Sequence, residues 1–203
     1  MHRATGCPLY RRQLERLVEV LLEFEMRFES RAGIAASGFL MRKNNPNPAY
    51  LDCQSAALLA LTQAACIMED PRLPEIIERG IAAYRLAPQA IDLGTGGRID
   101  TVGMASPDAA GEIGETAFWN FKAGLSLRFF GALRRSPNPA VQAVASRHRD
   151  RVAAFEAVLR HQLARAAAEH DGCIEFRTSV LSGETNSETQ PWVMLGLLGH
   201  PFD

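Results

Sequence analysis

The sequence predicts an all-α fold in which outer and inner helices alternate, and three observations carry that expectation. Amphipathic and almost wholly apolar helical segments follow one another in regular order. The connections alternate too, short after each apolar segment and long before it. Two of the long connections end in a shared pattern ahead of an apolar run, Glu115-Thr116-x-x-Trp119 and Glu188-Thr189-x-x-Trp192.

The first helix is expected over Leu9 to Phe28, where Leu14, Leu17, Val18, Leu21, Leu22 and Met26 recur at a helical period and Arg11, Arg12, Glu15, Arg16, Glu19 and Glu23 supply a wet face. After a loop from Ala32 to Pro48, the segment Tyr50 to Met68 is apolar almost all round, as a helix enclosed by others would be. Asp70-Pro71 stops it. Glu75 to Leu86 is amphipathic again, with Ile76, Ile77, Ile81 and Tyr84 opposite Glu78, Arg79 and Arg85. A long Gly- and Asp-rich connection from Pro88 to Gly114 then leads to the first Glu-Thr-x-x-Trp copy and an apolar helix, Phe118 to Leu133, whose only charges are Lys122 and Arg128. Ser136-Pro137-Asn138-Pro139 ends that helix. Val141, Val144, His148, Val152, Phe155, Leu159 and Leu163 mark one face of a long helix reaching about His170. In the third long loop, Asp171 to Ser187, Ile174, Phe176, Thr178 and Val180 alternate as a short β-ribbon would. The second Glu-Thr-x-x-Trp copy opens the last apolar segment, Val193 to Leu198.

With 203 residues, 47% of them apolar, the chain is long enough for one hydrophobic core, and residues 1–203 are expected to form a single helical domain. A formal charge of −1 provides no global field for nucleic acid or an anionic membrane, and neither is expected as a partner. The longest uncharged stretch, Cys53 to Met68, falls short of the roughly 20 residues a membrane span requires. Cys7, Cys53, Cys66 and Cys173 are scattered, with neither zinc spacing nor a dense disulfide framework, and the amino terminus lacks the apolar core of a secretory signal. These features predict a cytoplasmic protein with no metal and no cofactor.

If outer and inner helices run antiparallel, all three long loops fall on one rim, at the amino ends of the inner helices. That rim is the expected site. The alternating helices, with Glu115-Thr116-x-x-Trp119 and Glu188-Thr189-x-x-Trp192, resemble part of an α/α toroid, the fold of six-hairpin glycosidases and related polysaccharide lyases and, more distantly, of terpenoid-cyclase-like proteins. A closed ring of that kind holds about twelve helices, about twice what this chain offers. The resemblance therefore implies an incomplete toroid or open helical stack, either half of a larger ring or one protomer of a homo-oligomer, or a chain with a missing companion domain. It also implies hydrolysis or elimination at a glycosidic bond of an oligosaccharide or polysaccharide.

On that rim, Glu115, Glu188, Glu184 and Asp100 are the acid/base candidates, since glycoside cleavage runs on paired carboxylates. Carboxylates near helix amino termini are held in the charged form, so capping electrostatics alone is the other explanation for Glu115 and Glu188. Trp119, Trp192 and Tyr50 offer flat faces to a sugar ring, with core packing as the alternative. Arg98, Arg42 and Asn45 would donate hydrogen bonds to hydroxyl or acidic groups, or simply belong to solvated loops. Gly94-Thr95-Gly96-Gly97 could cradle a phosphate but lacks the Walker pattern. The basic run Arg134, Arg135, Arg147, His148, Arg149 and Arg151 is read as a solvated surface rather than a polyanion site. Two further functions stay open: a non-enzymatic glycan- or protein-binding or assembly module, and a lipid- or isoprenoid-binding domain using a dry groove between inner helices.

Overall fold

A computed structural model describes residues 7–29, 33–40, 50–86, 91–92, 98–105, 113–116, 119–170, 173–179 and 184–198, with the backbone alone described at 91–92, 98–99, 113–116 and 170. The fold is mixed, which corrects the all-α expectation: seven helices and nine short antiparallel strands are present among the described residues. The helices are α1 (Pro8–Leu22), α2 (Leu51–Ala64), α3 (Arg72–Ala83), α4 (Asn120–Arg135), α5 (Pro139–Arg147), α6 (Arg149–Ala166) and α7 (Thr189–Leu198). Each long connection carries strands. β1 (Glu25–Glu29) pairs with β2 (Ala35–Phe39), and β8 (Ala167–His170) with β9 (Cys173–Phe176). Between α3 and α4, β3 (Tyr84–Leu86), β6 (Val102–Ala105) and β7 (Ile113–Thr116) form a sheet in that order, while β4 (Ile91–Asp92) pairs with β5 (Arg98–Ile99).

The corrections have local causes. Residues expected to end the first helix form β1, because Met26 and Phe28 alternate with Glu25, Arg27 and Glu29, and a period of two places them on opposite faces of a strand. Tyr84–Leu86 leaves α3 directly as β3, with Tyr84 opposite Met104. The long helix expected from Val141 onward is two, separated at His148, whose ring nitrogen lies 3.1 Å from Glu78 of α3. Asn138 caps α5, its Oδ1 accepting from the backbone amides of Ala140 and Val141 while Pro139 occupies the first turn.

Three times a helix gives way to antiparallel strands before the next helix begins: one pair from α1 to α2, a three-stranded sheet and a further pair from α3 to α4, and one pair from α6 to α7. Side-chain amides pin the last strand before the helix in two of these connections. Gln54 of α2 accepts from Phe39 N and donates to Ser37 O of β2, and also to Gly80 O of α3. Gln190 of α7 clamps Phe176 of β9 through both its N–H and its carbonyl. Each of these bonds satisfies a main-chain group that burial would otherwise orphan.

Among the described helices α4 is the most enclosed; every residue from Lys122 to Gly131 is buried. It packs against α2 on one side and α7 on another. The α4–α7 crossing depends on Gly124 and Gly196, since a Cβ on either would fall inside the backbone of the opposite helix. On the far side, Phe129 and Phe130 meet Tyr84 and Phe155, with Tyr84 and Phe130 ring centroids 5.1 Å apart. The Tyr84 hydroxyl lies 2.7 Å from Ser55 Oγ, which lies 2.8 Å from Ser126 Oγ, so one hydroxyl chain joins β3, α2 and α4. Burial drives the Tyr84 phenol well above its ordinary range, and the serines only partly offset this. No helix among the described residues is long and apolar enough to cross a membrane.

Candidate functional site

Tyr50 and Trp119 stand in extended backbone as the last residues before α2 and α4, and Glu188 is the last residue before α7. The three helix entrances meet around one open hollow of about 400 Å³. Tyr50, Trp119 and Phe121 supply its aromatic lining; Asp52, Lys122, Thr178, Asn186 and Glu188 supply its polar groups. Trp119 is 37% exposed, a large apolar face left to solvent at the hollow's edge.

The approach to α4 is tied to the segment after β9. Trp119 bridges Ser179, Asn120 N donates to Thr178 O at 3.0 Å, and Asn120 Nδ2 donates to Arg177 O at 2.6 Å. Gln162 of α6 holds Asn120 from behind, donating to its Oδ1 while accepting from Thr101 Oγ1. At α7, Asn186 Oδ1 accepts from Thr189 N at 2.8 Å. Asn186 is thus the capping side chain; Thr189 Oγ1 is buried without a hydrogen-bond partner among the described residues.

The two Glu-Thr-x-x-Trp copies are not equivalent in space. Glu115-Thr116 lies in β7, whereas Glu188 adjoins α7 and Trp192 lies within it. The counterpart of Glu115-Thr116 is Glu184-Thr185: Thr116 pairs with Gly103 and Thr185 with Arg177, each four residues ahead of the first helical residue, Asn120 or Thr189. In that register Trp119 and Glu188 occupy the same place, and Tyr50, preceding Leu51, occupies it a third time.

Lys122 is the central charge of the hollow, and only 7% of it is exposed. Its ammonium lies 3.4 Å from Asp52 Oδ1, and 5.4 Å and 5.8 Å from the centres of the Tyr50 and Phe121 rings. Aromatic faces attract such a cation, and Asp52 occupies the first turn of α2, where the positive end of the helix dipole favours a carboxylate. Asp52 Oδ1 makes this ionic contact yet accepts no hydrogen bond among the described residues.

Of the residues singled out from sequence, Tyr50, Trp119 and Glu188 are brought together here. Trp192 is half-buried within α7, its carbonyl facing Gly124, and is not part of the lining. Glu184 and Asp100 are exposed and also outside the lining; the Glu184 carbonyl accepts from Thr178 N. Glu115 and Arg98 are placed by backbone alone, in β7 and β5. Arg42, Asn45 and the glycine-rich residues 94–97 lie outside the described residues.

Asp52, Phe121, Lys122, Thr178 and Asn186 are lining residues that the sequence reading did not select. A signal existed for Lys122, one of two charges in the otherwise apolar segment Phe118 to Leu133. Much of the basic run has internal partners: Arg147 and His148 with Glu78, Arg134 with Glu156, Arg151 with Tyr84 O. Among the described residues no three His, Cys, Asp or Glu side chains cluster as metal ligands. No family model, curated protein or solved structure matches this chain.

Proposed function

We propose that the hollow at the three helix entrances binds a carbohydrate. The observation that carries this reading is the pairing of exposed aromatic surface with convergent hydrogen-bonding groups: Trp119 and Tyr50 beside Asp52, Thr178, Asn186 and Glu188. A sugar ring presents apolar C–H faces and a perimeter of hydroxyls, and this lining complements both. The hollow is open and sets charged and hydrogen-bonding groups among its aromatic walls, which supports a hydrated ligand over an isoprenoid. Removing the Trp119 face should weaken oligosaccharide binding about tenfold, read by calorimetric titration of Trp119→Ala. Equal affinity in the variant would reject the site.

Glu188 and Asp52 place two carboxylates in the same hollow, which supports acid/base cleavage of a glycosidic bond as its chemistry. Of the four acids expected from sequence, Glu188 alone is retained, with Asp52 as its partner. A folded Glu188→Gln variant should bind oligosaccharide and lose turnover. Unchanged turnover would leave a binding module.

Self-association is the second part of the proposal. Helix α7 carries no charged residue and leaves Met194 and Leu198 exposed, and β9, which packs on α7, leaves Ile174 exposed, apolar surface that a second copy would cover. Sedimentation should show mass rising with concentration, and a monomer at every concentration would contradict it. The four cysteines stand as thiols, which supports the reducing, cytoplasmic setting expected from sequence.

A further inference from the structure

The chain contains twenty arginines and two lysines, Lys43 and Lys122. A chain that uses arginine for almost every positive charge places lysine at a buried position lining the hollow. Charge alone does not account for that choice. A guanidinium would pair with Asp52 at least as well and would stack on Tyr50 and Phe121 more readily. What lysine adds is a proton it can release, leaving a primary amine that is a nucleophile; arginine stays protonated in proteins.

The neighbours of Lys122 suit that chemistry. Asp52 Oδ1, 3.4 Å from Nζ, is placed to take the proton and accepts no hydrogen bond among the described residues. The Tyr50 and Phe121 rings remove water from two sides of the ammonium, at 5.4 Å and 5.8 Å from its nitrogen. The hollow, about 400 Å³, admits a small molecule to the same wall.

We propose that Lys122 captures the carbonyl group of a small aldehyde or ketone, open-chain sugars included, as a Schiff base in this hollow. Asp52 takes a proton from the ammonium, and the freed amine lone pair forms a bond to the carbonyl carbon as the C=O π pair moves to oxygen. A proton passes from that nitrogen to the oxygen, giving a carbinolamine. Asp52 then returns its proton to the hydroxyl, which leaves as water while the nitrogen lone pair closes the C=N bond. The balance is ammonium plus carbonyl to protonated imine plus water, with Asp52 regenerated as carboxylate and nothing oxidised or reduced. The inference extends beyond glycan binding, because any compact carbonyl compound meets its requirements.

The test uses the full chain, glyceraldehyde as the probe and cyanoborohydride to reduce the imine to a stable secondary amine, followed by peptide mapping by mass spectrometry. Lys43 is the internal reference. The adduct should form on Lys122 at least about tenfold faster than on Lys43, and Asp52→Asn should slow it by about tenfold in a variant whose melt shows it folded. Lys122→Arg, which keeps the positive charge beside Asp52, should remove the fast adduct. An unmodified Lys122, a rate no greater than that of Lys43, or a rate indifferent to Asp52→Asn would overturn the proposal. A methyl glycoside, which has no free carbonyl, tests glycan binding separately, so failure of one reading leaves the other visible.

Discussion

Lys122 of α4 and Asp52 of α2 form an ion pair across the inner-helix entrances, Nζ to Oδ1 3.4 Å, with the lysine carbon chain enclosed and its ammonium against the Tyr50 and Phe121 rings. Two helices far apart in sequence are joined by charge at the place where the hollow opens. The pair positions the hollow's polar groups relative to its aromatic walls.

That pairing predicts energetic coupling. Lys122→Met and Asp52→Asn, made singly and together, should show a coupling of about 1–2 kcal/mol in denaturant melts, because each single change leaves the other group in a partly desolvated position. Additive effects would mean that the contact contributes nothing to stability.

Close approach of α4 and α7 predicts intolerance at their crossing. Gly196→Val should destabilise the chain by about 3 kcal/mol and displace α7, since the added side chain meets the carbonyl of Gly124 and backbone cannot yield as a flexible side chain would. A wild-type melting temperature would show that the two helices are not in contact as described.

The pH response of the β1 attachment follows from Glu25. Burial alone would raise its carboxyl, but Arg79, 2.8 Å away, together with Arg27, holds it below the ordinary glutamate range. A depressed carboxyl contributes stability that is present above the ordinary glutamate value and is lost as pH falls through the lower folded value. Wild type should therefore lose stability across that acid window, and Glu25→Gln should lose less of it. Parallel curves for the two proteins would contradict the assignment.

The inner helices were legible because Leu51–Ala64 and Asn120–Arg135 are enclosed on most sides and their apolar residues leave no strong polar face. Alternation at Ile174 and Phe176 announced β9, but β1 and β3 were hidden, because Met26 satisfies a helical period as readily as the alternation of β1, and Tyr84–Leu86 is too short to announce itself. The break at His148 was hidden for a similar reason: Val144, His148 and Val152 continue one helical stripe through it. Within the site, Tyr50, Trp119 and Glu188 could be found from loop lengths, which set inner-helix entrances on one rim. Asp52 could not, because what marks it is contact between helices, and Lys122, conspicuous as a charge in an apolar segment, gains its place in the site only through that contact. The Glu-Thr-x-x-Trp repeat was visible but misregistered; strand pairing aligns Glu115 with Glu184 instead.

The chain has two tryptophans, so its indole N–H spectrum offers one reporter at the hollow and one within α7. The most direct measurement titrates an oligosaccharide panel into indole-15N-labelled protein. Carbohydrate binding at the hollow predicts that the Trp119 signal moves in a saturable way with at least one ligand and that Trp192 responds less. A panel that leaves Trp119 in place, or that moves Trp192 alone, would contradict the account.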